Sequence, residues 1–213
     1  QVAIAMEILR HGNEPRAAIY LAVGGGGLIA GVGAYVKALW PSVQIIGVEP
    51  QDADAMTRSL AAGERQRLEQ VGLFADGVAV REVGEETFRV AQQVVDRMVT
   101  VDSDAICAAI KDVFEDTRSI LEPAGALAVA GLKADAARWP PGSAVVAVAC
   151  GAHMNFERLR FVAERAELGE QREAMLAVEI PEQPGSLRQF CRLLGSHSLT
   201  EFSYRQARGH RAQ

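Results

Sequence analysis

Four consecutive glycines, Gly24 to Gly27, followed by Leu28, stand where an apolar, strand-like run gives way to a helix-like one. Without Cβ atoms the backbone there can turn tightly and aim successive N–H groups at one anion. The start of the helix adds free donors and partial positive charge. That chemistry is phosphate binding. No lysine and hydroxyl follow as in G-x-x-x-x-G-K-[ST], so the nucleotide P-loop is excluded. A dinucleotide site stays open, because Gly25-x-Gly27-x-x-Ala30 fits G-x-G-x-x-A and Glu49 ends the next apolar run. A glycine turn that simply packs a helix on a strand stays open too.

Two further clusters could do chemistry. Cys150-Gly151-Ala152-His153-Met154-Asn155 forms a second strand-to-helix turn, and Glu122-Pro123-Ala124-Gly125-Ala126 opens a helix. Taken singly, each has a plainer reading. A lone cysteine is usually a small core residue, and an acid at a helix start stabilises the macrodipole. His153 reads as a neutral, hydrogen-bonded histidine. The only lysines, Lys37, Lys111 and Lys133, fall on amphipathic helices and read as solvated surface groups.

The elements that must position these residues alternate. Apolar runs at 19–23, 44–49, 98–101 and 144–149 are nearly uniform, as in parallel strands covered on both faces. Helices are expected over 28–39, 85–97 and from Asp102 or Ser103, either of which can cap an N-terminus. In this last helix Ile106, Ile110, Val113, Phe114 and Ile120/Leu121 form one buried stripe. Pro123 suits the first turn of a helix over 124–138. The fold class is α/β with a parallel sheet. From Arg158 to Ala174 charge is dense and reads as a helix running into a linker. A β-turn-α-β piece follows: a strand at 175–180, a helix to about Leu194 and a strand near 200–204. The tail 206–213 has no pattern.

Composition sets bounds. The 213 residues are 49% hydrophobic and 23% charged, as in a soluble globular protein. The net charge of −5 gives no reason to expect a nucleic-acid partner. Residues 17–36 carry no charge but six glycines, so a strand, a turn and a helix explain them better than a membrane span. Cys107, Cys150 and Cys191 lie about forty residues apart, without zinc or disulfide spacing, and suit a reducing, cytoplasmic setting. The chain begins at Gln1 and is expected to be truncated at both ends.

Five motifs in order, Val23–Leu28, Gly47–Pro50, Ala75–Val80, Glu122–Ala126 and Cys150–Asn155, resemble the threonine and serine dehydratases. These are tryptophan-synthase-β-like, fold-type-II enzymes that use pyridoxal 5'-phosphate. Val101–Asp112 and Glu167–Ala174 resemble the biosynthetic threonine dehydratases. The resemblance implies a cofactor-binding catalytic domain over 1–166, a linker over 167–174 and a partial ACT-like α+β regulatory domain over 175–213. It implies that the amides of Gly24, Gly25, Gly26, Gly27 and Leu28 hold the cofactor phosphate. Gly77 would lie beside the ring, Glu122 near the cofactor, and Cys150 facing the pyridine nitrogen. Related enzymes build a cation site from a Glu at the position of Glu49 with ligands four and six residues on. Here those are Ala53 and Ala55, so no metal is expected. The implied reaction converts threonine to 2-oxobutanoate and ammonia on the route to isoleucine, with a serine dehydratase or another fold-type-II lyase as the alternative reading. Isoleucine or valine would act at the regulatory domain, and a homo-oligomer, tetrameric in the family, is implied. The Schiff-base lysine of the family's S-F-K-x-R-G-A segment is absent, so no catalytic residue is assigned and the chain alone is expected to be inactive.

Overall fold

The computed structural model describes residues 1–11, 16–170 and 172–204. They fall into two units, 1–174 and 175–213.

The first unit is built on four parallel strands: β1 (Ala18–Ala22), β2 (Gln44–Pro50), β3 (Arg97–Val101) and β4 (Val145–Ala147), ordered β3-β2-β1-β4. β1, β2 and β3 coincide closely with the uniform apolar runs, as expected of covered strands, whereas β4 forms over only three of the residues expected at 144–149. Alternate residues feed two cores. Ala18, Tyr20 and Ala22 face α5 (Ser103–Thr117) and α6 (Pro123–Ala134) with Ile46, Ile106 and Leu127. Ile19, Leu21 and Val23 face α1 (Val2–Arg10), α2 (Gly27–Leu39) and α4 (Glu85–Val94) with Ile29, Val32 and Phe88. The chain moves outward from β1 through β2 to β3, then returns to β4 on the opposite side of β1. Strand order therefore reverses between β1 and β4. In open α/β sheets ligands bind in the crevice at the carboxyl ends of such a pair.

Local signals set the helix ends. Asp102 caps α5, its side chain accepting from the Ala105 amide at 2.8 Å. Pro123 occupies the first turn of α6. The apolar stripe expected for α5 ends earlier than its periodicity suggests. The helix stops at Thr117, Arg118 takes φ +60°, and Phe114 is 41% exposed beneath the Arg118 guanidinium. The helix α1 was not expected, whereas α3 (Ala55–Ala62) starts after Asp54, one of two acids that suit a helix start, and is short and capped by Gly63 in the left-handed region. The charged helix α7 (Arg158–Gly169) ends short of Ala174.

Lys37 pairs with Asp96 at 2.8 Å, Lys111 with Glu167 and Glu170 at 2.6 and 3.0 Å, and Lys133 with Asp112. Lys37 and Lys111 are thus half-buried ion-pair donors rather than solvated surface groups.

In the second unit one regular element is present among the described residues, α8 (Ser186–Leu194). The strands expected at 175–180 and 200–204 do not form among the described residues, and Leu176, Val178 and Phe202 are more than half exposed. A strand pattern needs partner strands to become a sheet. The tail 206–213 lies outside the described residues. Among those residues no helix is long and apolar enough to cross a membrane.

Candidate functional site

At the β1/β4 reversal lies a cavity of roughly 290 Å³. Its walls are Gly24 to Leu28 after β1, Gly77 and Val78, Glu122 and Ala124 at the start of α6, and Cys150 and Gly151 after β4; Gln1 closes one side. The structure thus brings Gly24, Gly25, Gly26, Gly27, Leu28, Gly77, Glu122 and Cys150 to one place. Val78 and Gly151 fall within two of the motifs without having been assigned to the site, and Gln1 carries no sequence signal for it. Their positions follow from where α1 and two loops pack.

The glycine corner explains its composition. Gly26 sits at φ +90°, a left-handed geometry that glycine enters without strain. A Cβ on Gly24 would lie 2.9 Å from the Val78 Cα, and one on Gly77 3.0 Å from the Ala124 Cβ. Among the described residues no protein acceptor takes the amide hydrogens of Gly24, Gly25, Gly26, Gly27 or Leu28. These five successive unpaired donors, the last two in the first turn of α2, belong to residues that line the cavity. An anion satisfies them. The residues therefore fit a phosphorylated cofactor.

The opposite wall is held by Glu122. Its amide donates to the Gly151 carbonyl at 3.2 Å, and its Oε2 accepts from the His153 amide at 3.1 Å. The Cys150 amide donates to the Gly125 carbonyl at 3.3 Å. His153 thus contributes its backbone. Burial, then the nearby Glu122 charge, pushes the Cys150 thiol up, so it stays a neutral S–H. Cys107, pushed up to about 12 chiefly by burial, lies in the core.

Glu49 serves another purpose. Its carboxylate is wholly buried and accepts from the Met56 amide (2.9 Å), the Thr57 amide (2.8 Å) and the Thr57 hydroxyl (2.7 Å). It caps α3 from a neighbouring strand. Turned inward and engaged by three donors, it has no oxygen directed at a ribose or a cation, which removes the main support for a dinucleotide site. Burial pushes its pKa up to about 7, against the three donors. Between the ordinary 4.5 and this value the folded chain keeps a proton that the unfolded chain releases. Stability should then fall as pH rises through that window, by up to about 3 kcal/mol. Glu49→Gln should flatten the slope between about pH 5 and about pH 8 in urea melts. An unchanged slope would refute the assignment.

Fold and site together define an α/β unit with a cavity suited to a phosphorylated ligand at the reversal of its strand order. Comparison with known proteins sharpens the class. Residues 1–151 match the family model described as pyridoxal-phosphate dependent enzyme, and residues 164–213 the C-terminal regulatory domain of threonine dehydratase. The chain belongs to the pyridoxal-phosphate dependent enzyme family. It is 60% identical over 208 residues to the biosynthetic L-threonine dehydratase of Burkholderia multivorans, covering 97% of this chain and 41% of that protein. It is 56% identical to the chloroplastic biosynthetic threonine dehydratase of Arabidopsis thaliana, covering 96% of this chain and 35% of that one. The solved structure of processed threonine deaminase isoform 2 from Solanum lycopersicum superposes with a TM-score of 0.76 at 47% identity, covering 78% and 46% of the two chains. The chain spans less than half the length of these relatives.

Proposed function

We propose that this chain forms the cofactor cradle of a threonine dehydratase, which converts L-threonine to 2-oxobutanoate and ammonia for isoleucine synthesis. Serine is the alternative substrate. The observation that carries the reading is a single cavity lined both by five residues with free amides and by Cys150. Bound there, pyridoxal phosphate supplies an electron sink for labilising bonds at the amino acid's α-carbon. The amides of Gly24 to Leu28 hold its phosphate, and Gly77 leaves room for its ring. The Cys150 S–H would offer the ring nitrogen a weak, uncharged neighbour. Glu122 fixes the turn that carries this thiol.

None of Lys37, Lys111 and Lys133 lines the cavity, and each is paired with a carboxylate elsewhere. The amine on which turnover depends is not among them, so the chain alone is inactive. Residues 1–166 form the cofactor domain, 167–174 a linker and 175–213 the start of an ACT-like regulatory domain responding to isoleucine or valine in a homo-oligomer. Three free thiols suit a cytoplasmic setting.

Purified chain should bind pyridoxal phosphate in preference to NAD and yield no 2-oxobutanoate from threonine. Preference for NAD would sink the cofactor assignment. Enzyme-like turnover would sink the claim of inactivity.

A further inference from the structure

Against the glycine corner, outside the cavity walls, stands the first turn of α4. The Gly25 carbonyl is turned out of the cavity and accepts twice from this turn: from the Gly84 amide at 3.2 Å and from the Thr87 hydroxyl at 2.5 Å. The same hydroxyl lies 3.0 Å from the Gly84 carbonyl, which fixes its place over the helix end. A carbonyl oxygen at a helix N-terminus is also favoured by the macrodipole. Thr87, Gly84 and Met56 are absent from the cavity walls. They are backing, not lining.

The consequence for the ligand follows from peptide geometry. In a trans, planar peptide the C=O and the next N–H point in opposite directions. Holding the Gly25 oxygen against α4 therefore turns the Gly26 N–H the other way, to the side on which the cavity lies. Glycines alone cannot supply that order. A Cβ on Gly25 would find nothing within 4 Å, so no packing opposes rotation of its peptide. The restraint comes from the Gly84 amide and the Thr87 hydroxyl, of which only the hydroxyl belongs to a side chain, and Met56, whose amide is held by Glu49, places its methyl group against Gly26.

We propose that Thr87 is a positioning residue for the phosphate: its hydroxyl pins the Gly25–Gly26 peptide so that the glycine corner is set for an anion before one binds. This rests on the cofactor reading above. The residue never touches the ligand. Its effect should therefore be confined to the phosphate part of the binding energy.

Pyridoxine 5'-phosphate and pyridoxine separate that part, because they differ in the phosphate and carry no aldehyde to react with lysines. Titrated by fluorescence into the full chain, Thr87→Val and Thr87→Ala should weaken pyridoxine phosphate by about tenfold or more. Pyridoxine should change by less than about twofold, Thr87→Ser should restore tight binding, and inorganic phosphate should compete less well in the two hydroxyl-free variants. Far-ultraviolet circular dichroism reports folding of each variant, and the serine and alanine pair decides the matter if valine does not fold. Equal weakening of both ligands, or no weakening, would overturn the role of Thr87 while leaving the cradle intact. A wild-type chain that did not distinguish the two ligands would overturn the cradle itself.

Discussion

A methyl group on residue 26 should nearly abolish binding of a phosphorylated pyridine, whereas the same methyl on residue 25 should leave the fold unchanged. The two glycines are adjacent, yet their surroundings are opposite. Gly26 has φ +90°, and a Cβ there would come within 2.5 Å of the Met56 methyl and 3.0 Å of the Thr87 hydroxyl. Gly26→Ala thus adds left-handed strain of roughly 1–2 kcal/mol and crowding of roughly 1–3 kcal/mol. The Met56 end can rotate, but Thr87 is tied to the Gly25 carbonyl, so relief comes by moving the corner. Pyridoxine phosphate affinity should drop about a hundredfold, with stability lower by about 2–4 kcal/mol. Gly25→Ala meets open space and no positive φ, so urea melts should agree with wild type within about 1 kcal/mol. If Gly26→Ala matched wild type in both measurements, the corner would not be the rigid anion seat described.

How much of this was legible in the sequence differs by type of residue. The buried strands were, because covering on both faces leaves an unmistakable apolar run, and their ends located the glycine corner and the Cys150 turn. That both turns meet was not readable from periodicity; it follows from β4 pairing with β1 rather than with β3. Glu49 shows the opposite problem. An acid at a strand end looks like a ligand to something outside, and only its full burial under α3 reveals a cap. Thr87 was invisible for a related reason. A threonine in the first turn of an amphipathic helix is unremarkable until Gly25, 62 residues earlier in sequence, is found against its hydroxyl. Alternating residues at 175–180 read as a strand, since the pattern records a face to be buried and not the partner that buries it.

Gly125 should be as sensitive as Gly26, by another route. It lies in the first turn of α6, and a Cβ there would fall inside the carbonyl oxygen of Cys150 and close to that of Gly151. Both obstacles are backbone, so no rotamer change can make room. The turn is also tied to α6 at three points: Cys150 to Gly125, Gly151 to the Glu122 amide, and His153 to the Glu122 carboxylate. Something must part. α6 is buried along most of its length, whereas β4 is an edge strand paired over three residues. The Cys150 turn should therefore yield first, carrying the thiol away from the cavity. Gly125→Ala should cost about 2–4 kcal/mol of stability, at the upper end for overpacking because backbone is displaced. It should also speed alkylation of Cys150 several-fold by exposing a thiol that burial keeps protonated. A Cys191→Ser background removes the exposed thiol that would mask this change, and Cys107 stays protected in the core. If alkylation and thermal midpoint both stayed at their wild-type values, the close approach of α6 to the Cys150 turn would be wrong, and with it the placement of the thiol opposite the glycine corner.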